Sequence, residues 1–145
     1  MVVRQIEAAR PADVDAIIAL VVQNGLPVDG LREHLDTALV AREGGRIVGT
    51  AALELYADGT LLRSVAVASG KQRQGLGHAL TEAAIRLAHE RGAPAMYLLT
   101  TTAERFFPKF GFERIPRADV PASVQASIEF TSACPTSATV MRKAL

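Results

Sequence analysis

The stretch GKQRQGLGHAL, residues 70–80, constrains this chain more than any other. Three glycines and two cationic side chains fall in its first eight residues, directly before a helix-like run. Glycine is the poorest common helix former after proline, so three of them at a helix entrance need a reason. The segment before them, LLRSVAVAS at residues 61–69, reads as a strand. The segment after them, residues 75–91, places Leu76, Ala79, Leu80, Ala83, Ala84, Leu87 and Ala88 at i, i+3, i+4 spacing. That is one apolar face of a helix, and Gly92 ends it. A strand that feeds a glycine-rich loop opening a helix is a recurring anion site. The first N–H groups of a helix have no intrahelical partner, and the helix dipole there favours negative charge.

The flanking sequence fills in an alternating order. Residues 2–8 read as a strand. Pro11 and Asp13 then suit a helix entrance, and Val14, Ile17, Ile18, Val21 and Val22 form a helical face stopped by Asn24 and Gly25. A shorter helix is expected over 29–35, a strand over 37–42, a turn over 43–45 and a strand over 46–56. Asp58-Gly59 is a strong hairpin signal. With these two as the turn residues, Glu54 lies across from Arg63. Beyond the glycine loop, 95–100 is a buried-type strand, 102–110 a short helix closed by Gly111, and 112–115 a further strand. Residues 116–134 read as a loop with a short helix near Pro121, and 137–143 as the last strand. The expected fold is α/β: a mixed, mostly antiparallel sheet with helices on both faces.

Composition narrows the function classes. The 145 residues suit one domain, 1–145, with a real core, and 49% hydrophobic with 21% charged residues argues against disorder. A net charge of +1 is too balanced for bulk nucleic-acid binding, so no nucleic-acid partner is expected and any basic site is local. No run approaches the ~18 apolar residues needed to span a bilayer, and the N-terminus has no apolar core of leader-peptide length. No membrane partner is expected. The one cysteine, Cys134, cannot form an internal disulfide, which points to a reducing cytoplasm. It also excludes a zinc site built on cysteine pairs, and no two histidines share metal-ligand spacing, so no metal is expected.

Two phosphate motifs fail. The P-loop pattern GxxxxGK[ST] is absent, and Gly70, Gly75 and Gly77 do not fit GxGxxG. What fits is [Q/R]-x-x-G-x-[G/A], met by Gln72, Gly75 and Gly77. With the lead-in LLRSVAVAS and the later AERFFPKFGF, residues 103–112, the chain resembles the GNAT superfamily of acyl-CoA N-acyltransferases over nearly its whole length. The resemblance implies acetyl-CoA as co-substrate, with its pyrophosphate on the backbone of Gln72, Arg73, Gln74, Gly75, Leu76 and Gly77. It implies a splayed central strand pair whose main chain at Val65 and Val67, with Ala66 between them, bonds the pantetheine like an added strand. Lys71 and Arg73 can add charge against phosphate, and His78, Thr102, Phe106 and Phe107 are further candidates to contact CoA. LLRSVAV, MYLLTTTAERFF and the late S-x-C-P-x-S-A, residues 132–138, resemble the bacterial arsenic-resistance-associated N-acetyltransferases. That narrower likeness implies a small amine or amino-acid acceptor, such as the organoarsenical arsinothricin. Dimers are common in the resembled family, so a homodimer is an expectation.

The implied reaction is direct attack by a neutral amine on the thioester. Orientation of the two reactants can supply ~7–11 kcal/mol at best, and a backbone N–H near Val65 can polarise the carbonyl. Glu54 is the acidic residue on the central strands. It reads as a base, as half of a substrate clamp with Arg63, or as a cross-strand ion pair that only stabilises the sheet. The family's frequent tyrosine acid aligns with Phe107, which has no hydroxyl, so water protonates the thiolate. Tyr56 and Tyr97 lie in strands and read as core or rim residues. Thr100, Thr101 and Thr102 either line the acceptor site or cap the next helix, Thr101 or Thr102 accepting from its first N–H groups. His34 and His89 read as solvated helix residues, and Cys134 as a small packed residue. Two other readings remain: a protein or peptide acetyltransferase, and an acyl-CoA-binding module without turnover.

Overall fold

Alternation of apolar residues along consecutive strands builds a seven-stranded sheet in the computed structural model, which describes residues 4–72 and 74–145. The strands are β1 (Arg4–Ala8), β2 (Ala38–Glu43), β3 (Arg46–Tyr56), β4 (Gly59–Val67), β5 (Ala95–Thr100), β6 (Glu113–Arg114) and β7 (Thr139–Ala144). Their order is β1-β2-β3-β4-β5-β7-β6. Every pairing is antiparallel except β4 with β5. The mixed, mostly antiparallel sheet expected from sequence is therefore present. Val2 and Val3, placed in the first strand, lie outside the described residues.

Period-2 side-chain placement decides which helix covers which face. Leu39, Ala41, Ala51, Leu53, Leu62, Met96 and Leu98 pack with α2 (Leu76–Glu90) through Leu76, Leu80, Ala84 and Ala88. On the opposite face Ala38, Val40, Ala52 and Ala66 pack with α1 (Val14–Gln23) through Ile17, Leu20 and Val21. Val22, expected on that face, is 59% exposed, and Leu20 takes the buried position instead. Further along the α1 face, Leu61, Tyr97 and Val140 are covered by Val120, Val124 and Phe130 of the long segment before β7. That segment contains α3 (Ala122–Gln125), entered at Pro121 as expected. Arg117 braces it by donating to the Phe130 carbonyl (2.9 Å), and Ser123 ties it to Asp58 at the hairpin tip (3.1 Å). Among the described residues no helix is long and apolar enough to cross a membrane.

Three local expectations are corrected. The β3–β4 turn is Ala57-Asp58, closed by Tyr56 opposite Gly59, so Glu54 faces Leu61 and Arg63 faces Ala52. The register differs by two residues, which leaves Glu54 and Arg63 on one face as diagonal neighbours. The helix expected over 29–35 is a 3-10 segment, Leu31–Thr37, entered through Gly30 at φ 74°. A Cβ at Gly30 would lie 2.8 Å from Ile128 Cγ2, so glycine lets the segment before β7 close against this loop. The helix expected over 102–110 is reduced to a 3-10 turn, Phe107–Phe110. Pro108 has no N–H to continue an α-helix and its ring clashes with the preceding turn.

Candidate active site

The site begins where β4 leaves β5. Their parallel pairing covers only Thr60 with Met96 and Leu61 with Tyr97. Beyond it β4 bulges: Ser64 has φ 58°, a left-handed conformation uncommon outside glycine, and the β3 register shifts alongside. Arg63 Nε donates to Ser64 Oγ (3.1 Å) and fixes the bulge. β5 continues with β7 as far as Thr100, so the two central strands splay as expected. Successive residues of a strand aim their main-chain groups to alternate edges. Ala68 N–H bonds Val48 on the β3 side, so the main chain of Val65 and Val67 faces the open β5 side. The Val67 carbonyl there accepts from Asn24 (3.3 Å) and Gln72 (3.4 Å).

The splay opens a cleft of about 890 Å³ lined by Val65, Val67, Gln72, Gly77, Thr102, Phe106 and Phe107. It continues into a hollow of about 290 Å³ bounded by Gly75, His78 and Lys109. Gly75 caps α2 at φ 81°, and the first helical bond runs from Ala79 N–H to Gly75. The N–H groups of Leu76 and Gly77 stand before that bond, at the helix start where an anion is favoured. Leu76 is buried in the core, so only its backbone is available. Ala66 turns the other way: it pairs with Thr50 and its methyl packs under α1. Gln74 donates to the Gly70 carbonyl (3.4 Å). Arg73 lies outside the described residues. Lys71, expected to add charge against phosphate, pairs instead with Glu43 at 2.7 Å. Among the described residues Lys109 is the cation bordering that hollow, its Nζ 4.5 Å from the Phe106 ring centroid; the sequence reading placed it in the helix expected over 102–110 and gave it no role.

A second hollow, about 430 Å³, lies on the other side of the bulge. Arg63, Ser64, Thr100, Thr101, Thr102, Glu129 and Cys134 line it, with the loop through Pro27 and Asp29. Thr102 borders both this hollow and the large cleft. Thr100, and not Thr101 or Thr102, caps the following turn: its hydroxyl accepts from Ala103 N–H at 2.9 Å. That hydroxyl keeps its own hydrogen to donate.

Arg63 is buried. Besides Ser64 it donates to Asp29 O (2.7 Å), Glu54 Oε2 (2.9 Å) and Pro27 O (3.0 Å), so four of its five N–H groups are engaged within the protein. Glu54, fully buried, lines a third hollow of about 490 Å³ with His34, Tyr56 and Ser127. The buried Glu54–Arg63 pair thus stands between the two hollows, with Arg63 lining one and Glu54 the other. Burial pushes the Glu54 carboxyl up, but hydrogen bonds from Ser127, Tyr56 and Arg63, with His34 at 3.8 Å, hold it below its usual value. Burial and Glu54 together push the Tyr56 hydroxyl up to about 12. His34, expected in solvent, is half-buried in this network, whereas Tyr97 is buried and His89 exposed, as their strand and helix positions imply.

Glu129 is the residue sequence reasoning passed over. Its side chain is 5% exposed and its Oε2 lies 3.4 Å from Arg63 Nε. Burial pushes its carboxyl up to about 7; the Arg63 charge pulls it down, and Glu54 and Asp29 add to the rise. The local sequence offered only an acid between Ile128 and Phe130, a poor signal because glutamate is usually exposed and Ile128 itself is 36% exposed. Burial and the Glu129 charge raise the Cys134 thiol to about 11.

The sequence pattern of the family described as Acetyltransferase (GNAT) domain matches residues 34–114, from the 3-10 segment through β6. The chain belongs to the GNAT acetyltransferase family. This GNAT chain is 30% identical over 125 residues to an amino-acid acetyltransferase of Pasteurella multocida, covering 80% of itself and 28% of that relative. In structure it is similar to N-acetylglutamate synthase from Neisseria gonorrhoeae complexed with coenzyme A and N-acetyl-glutamate. There the TM-score is 0.85 at 21% identity, over 99% of this chain and 35% of that one. It is also similar to Rv2747 from Mycobacterium tuberculosis in complex with CoA and NLQ, with TM-score 0.83 and 25% identity over 97% and 99% of the two chains. The GNAT chain thus spans about a third or less of the length of the first two relatives.

Proposed function

We propose that the chain is an acetyl-CoA-dependent N-acetyltransferase, one domain over 1–145, acting on the amino group of a small amino-acid-like acceptor. One observation carries the reading: a cleft along the open edge of β4 and a separate polar hollow meet at Thr102, on either side of the Ser64 bulge. A donor laid along Val65–Val67, its pyrophosphate on the start of α2, would end its pantetheine arm at that junction. An acceptor in the hollow would present its amine to the thioester there, and holding both reactants in place is the main source of acceleration. The amine nitrogen bonds to the thioester carbon, the C–S bond breaks, and the proton that nitrogen loses passes through water to the CoA thiolate.

The hollow suits a zwitterion. The Arg63 charge and the Thr100, Thr101 and Thr102 hydroxyls can hold a carboxylate, and Glu129 offers negative charge to an ammonium. The Pasteurella and Neisseria relatives, named for amino-acid products or substrates, support this class. The sequence likeness to arsenic-resistance acetyltransferases supports an arsenic-bearing amino acid such as arsinothricin as one member of it. Thiol release from acetyl-CoA, measured with amino acids, phosphinic and arsinic amino acids, polyamines and peptides, tests the reading. Turnover confined to small amino acids is the expected result. Turnover confined to peptides, or tight CoA binding with no turnover at all, would overturn it.

A further inference from the structure

We propose that Glu129 is the general base of this transfer, receiving the proton of the acceptor's ammonium in the hollow beside the Ser64 bulge. The inference rests on the reading that the hollow takes an amine.

The placement comes first. Glu129 opens a single π-turn, Glu129–Ala133. Its N–H donates to Ser127 Oγ (3.2 Å) and its carbonyl accepts from Cys134 N–H (3.1 Å), so the main chain is pinned on both sides of the side chain. The side chain lines the hollow together with the threonines at the end of β5, one of which, Thr102, borders the donor cleft.

Charge balance comes second. The groups around the Glu129 carboxylate are Arg63 on β4, Glu54 on β3, Asp29 on the loop before the 3-10 segment, and the Cys134 thiol on its own segment. Glu54 already matches the Arg63 charge at 2.9 Å. The Arg63 Nε–H is directed to Ser64 Oγ, and Glu129 stands 3.4 Å from Nε, beyond the 2.7–2.9 Å of a charge-assisted bond. One guanidinium therefore faces two buried carboxylates. A structural ion pair does not need the second carboxylate, but a site that receives a cation does.

Chemistry comes third. An amine acceptor arrives as its ammonium and cannot attack until one proton leaves. Glu54 is held acidic by three hydrogen bonds and lines a different hollow, so it is the poorer acceptor of that proton. Glu129 lines the hollow itself, and its proton affinity near neutrality matches the task. The proton passes from nitrogen to the Glu129 carboxylate. The nitrogen lone pair forms the N–C bond, the C–S pair leaves with sulfur, and a second nitrogen proton is balanced by protonation of the thiolate. Glu129 then returns its proton to solvent.

The test is the pH profile of kcat/KM for the acceptor between about pH 5.5 and 9.5, in the parent, Glu129→Gln and Glu129→Asp. The parent is expected to show a rising limb with an apparent pKa near 7. Glu129→Gln keeps the volume and leaves Arg63 matched by Glu54. It is expected to lose about 10²–10³-fold in kcat/KM and the limb with it, the residual rate following the free amine, while acetyl-CoA affinity stays within about twofold. Glu129→Asp is expected to keep the limb at about a tenth of the parent rate, and reads the same question if the Gln variant does not fold. An unchanged limb and a rate within about threefold of the parent in either variant would overturn the assignment with the enzyme reading intact. A parent that binds acetyl-CoA and acetylates no amine would instead overturn the enzyme reading, and this inference with it.

Discussion

Arg63 gives four of its five N–H groups to the protein: to Ser64, Asp29, Glu54 and Pro27. Its removal would take the charged donor from the buried Glu54 carboxylate and the Arg63 donor from two carbonyls. Arg63→Ala is therefore expected to lose about 3–5 kcal/mol in urea unfolding, and Arg63→Lys to recover little, because an ammonium cannot present the same planar fork. Glu54 and Glu129 respond to pH in opposite senses. Glu54 is lowered in the folded state, so its contribution is present above its unfolded value and lost as pH falls through the folded one. Glu129 sits at about 7 against 4.5, so the folded state holds the proton more tightly than the unfolded state. Stability from this group falls as pH rises from 4.5 to about 7 and is flat above. Glu129→Gln is expected to remove that fall and to exceed the parent at pH 8 by up to about 3 kcal/mol. Unfolding free energies at the two ends of the window check it, and the parent's slope persisting in the variant would refute the assignment. The raised Cys134 thiol is expected to alkylate more slowly at pH 8 than a free cysteine.

The β4 bulge and the α2 entrance are each set by a single backbone conformation. Ser64→Val puts a β-branched residue at φ 58° and removes the Oγ that accepts from Arg63. The expected cost is about 1–3 kcal/mol, with weaker CoA binding by calorimetry because the splay relaxes. Gly75→Ala isolates the backbone effect. An added Cβ there meets nothing within 4 Å, so the expected loss of about 1–2 kcal/mol comes only from the positive φ. Most elements were legible because their periodicity is local: β3 and β5 match the sequence reading residue for residue, and α2 differs by one residue at each end. The hairpin shows where local reading stops. Asp-Gly marked the turn but not which two residues occupy it, and cross-strand packing set the register two residues away. Glu54 and Arg63 still met, because a shift of two preserves the face. The helix over 102–110 failed on Pro108, whose missing N–H outweighed the apolar spacing of Phe106 and Phe110.

At the scale of the molecule, the hollow beside the bulge was legible only in part: Arg63 and the threonines at the end of β5 were singled out, while Glu129 and the loop through Asp29 were not. One wall of the large cleft is a strand, a loop and a helix start in sequence order, which a contiguous motif describes, and the wall opposite is the segment 102–107. The hollow gathers residues near 25–29, 63–64, 99–102 and 129–138, and no local pattern links Glu129 to Thr102. The meagre β4–β5 pairing has a mechanical corollary. The sheet is two half-sheets, β1 to β4 and β5 to β7, joined by two residue pairs at one end and opening like a wedge at the other. A donor bonded along the open edge would act as a splint, tying the halves into one cooperative unit. Acetyl-CoA at a hundred times its Kd should then raise unfolding free energy by about 2.7 kcal/mol. The same ligand should slow amide exchange along β5 and β7, out to strands beyond its own reach. Protection confined to β4 and the α2 entrance would mean that the halves breathe independently with the splint in place.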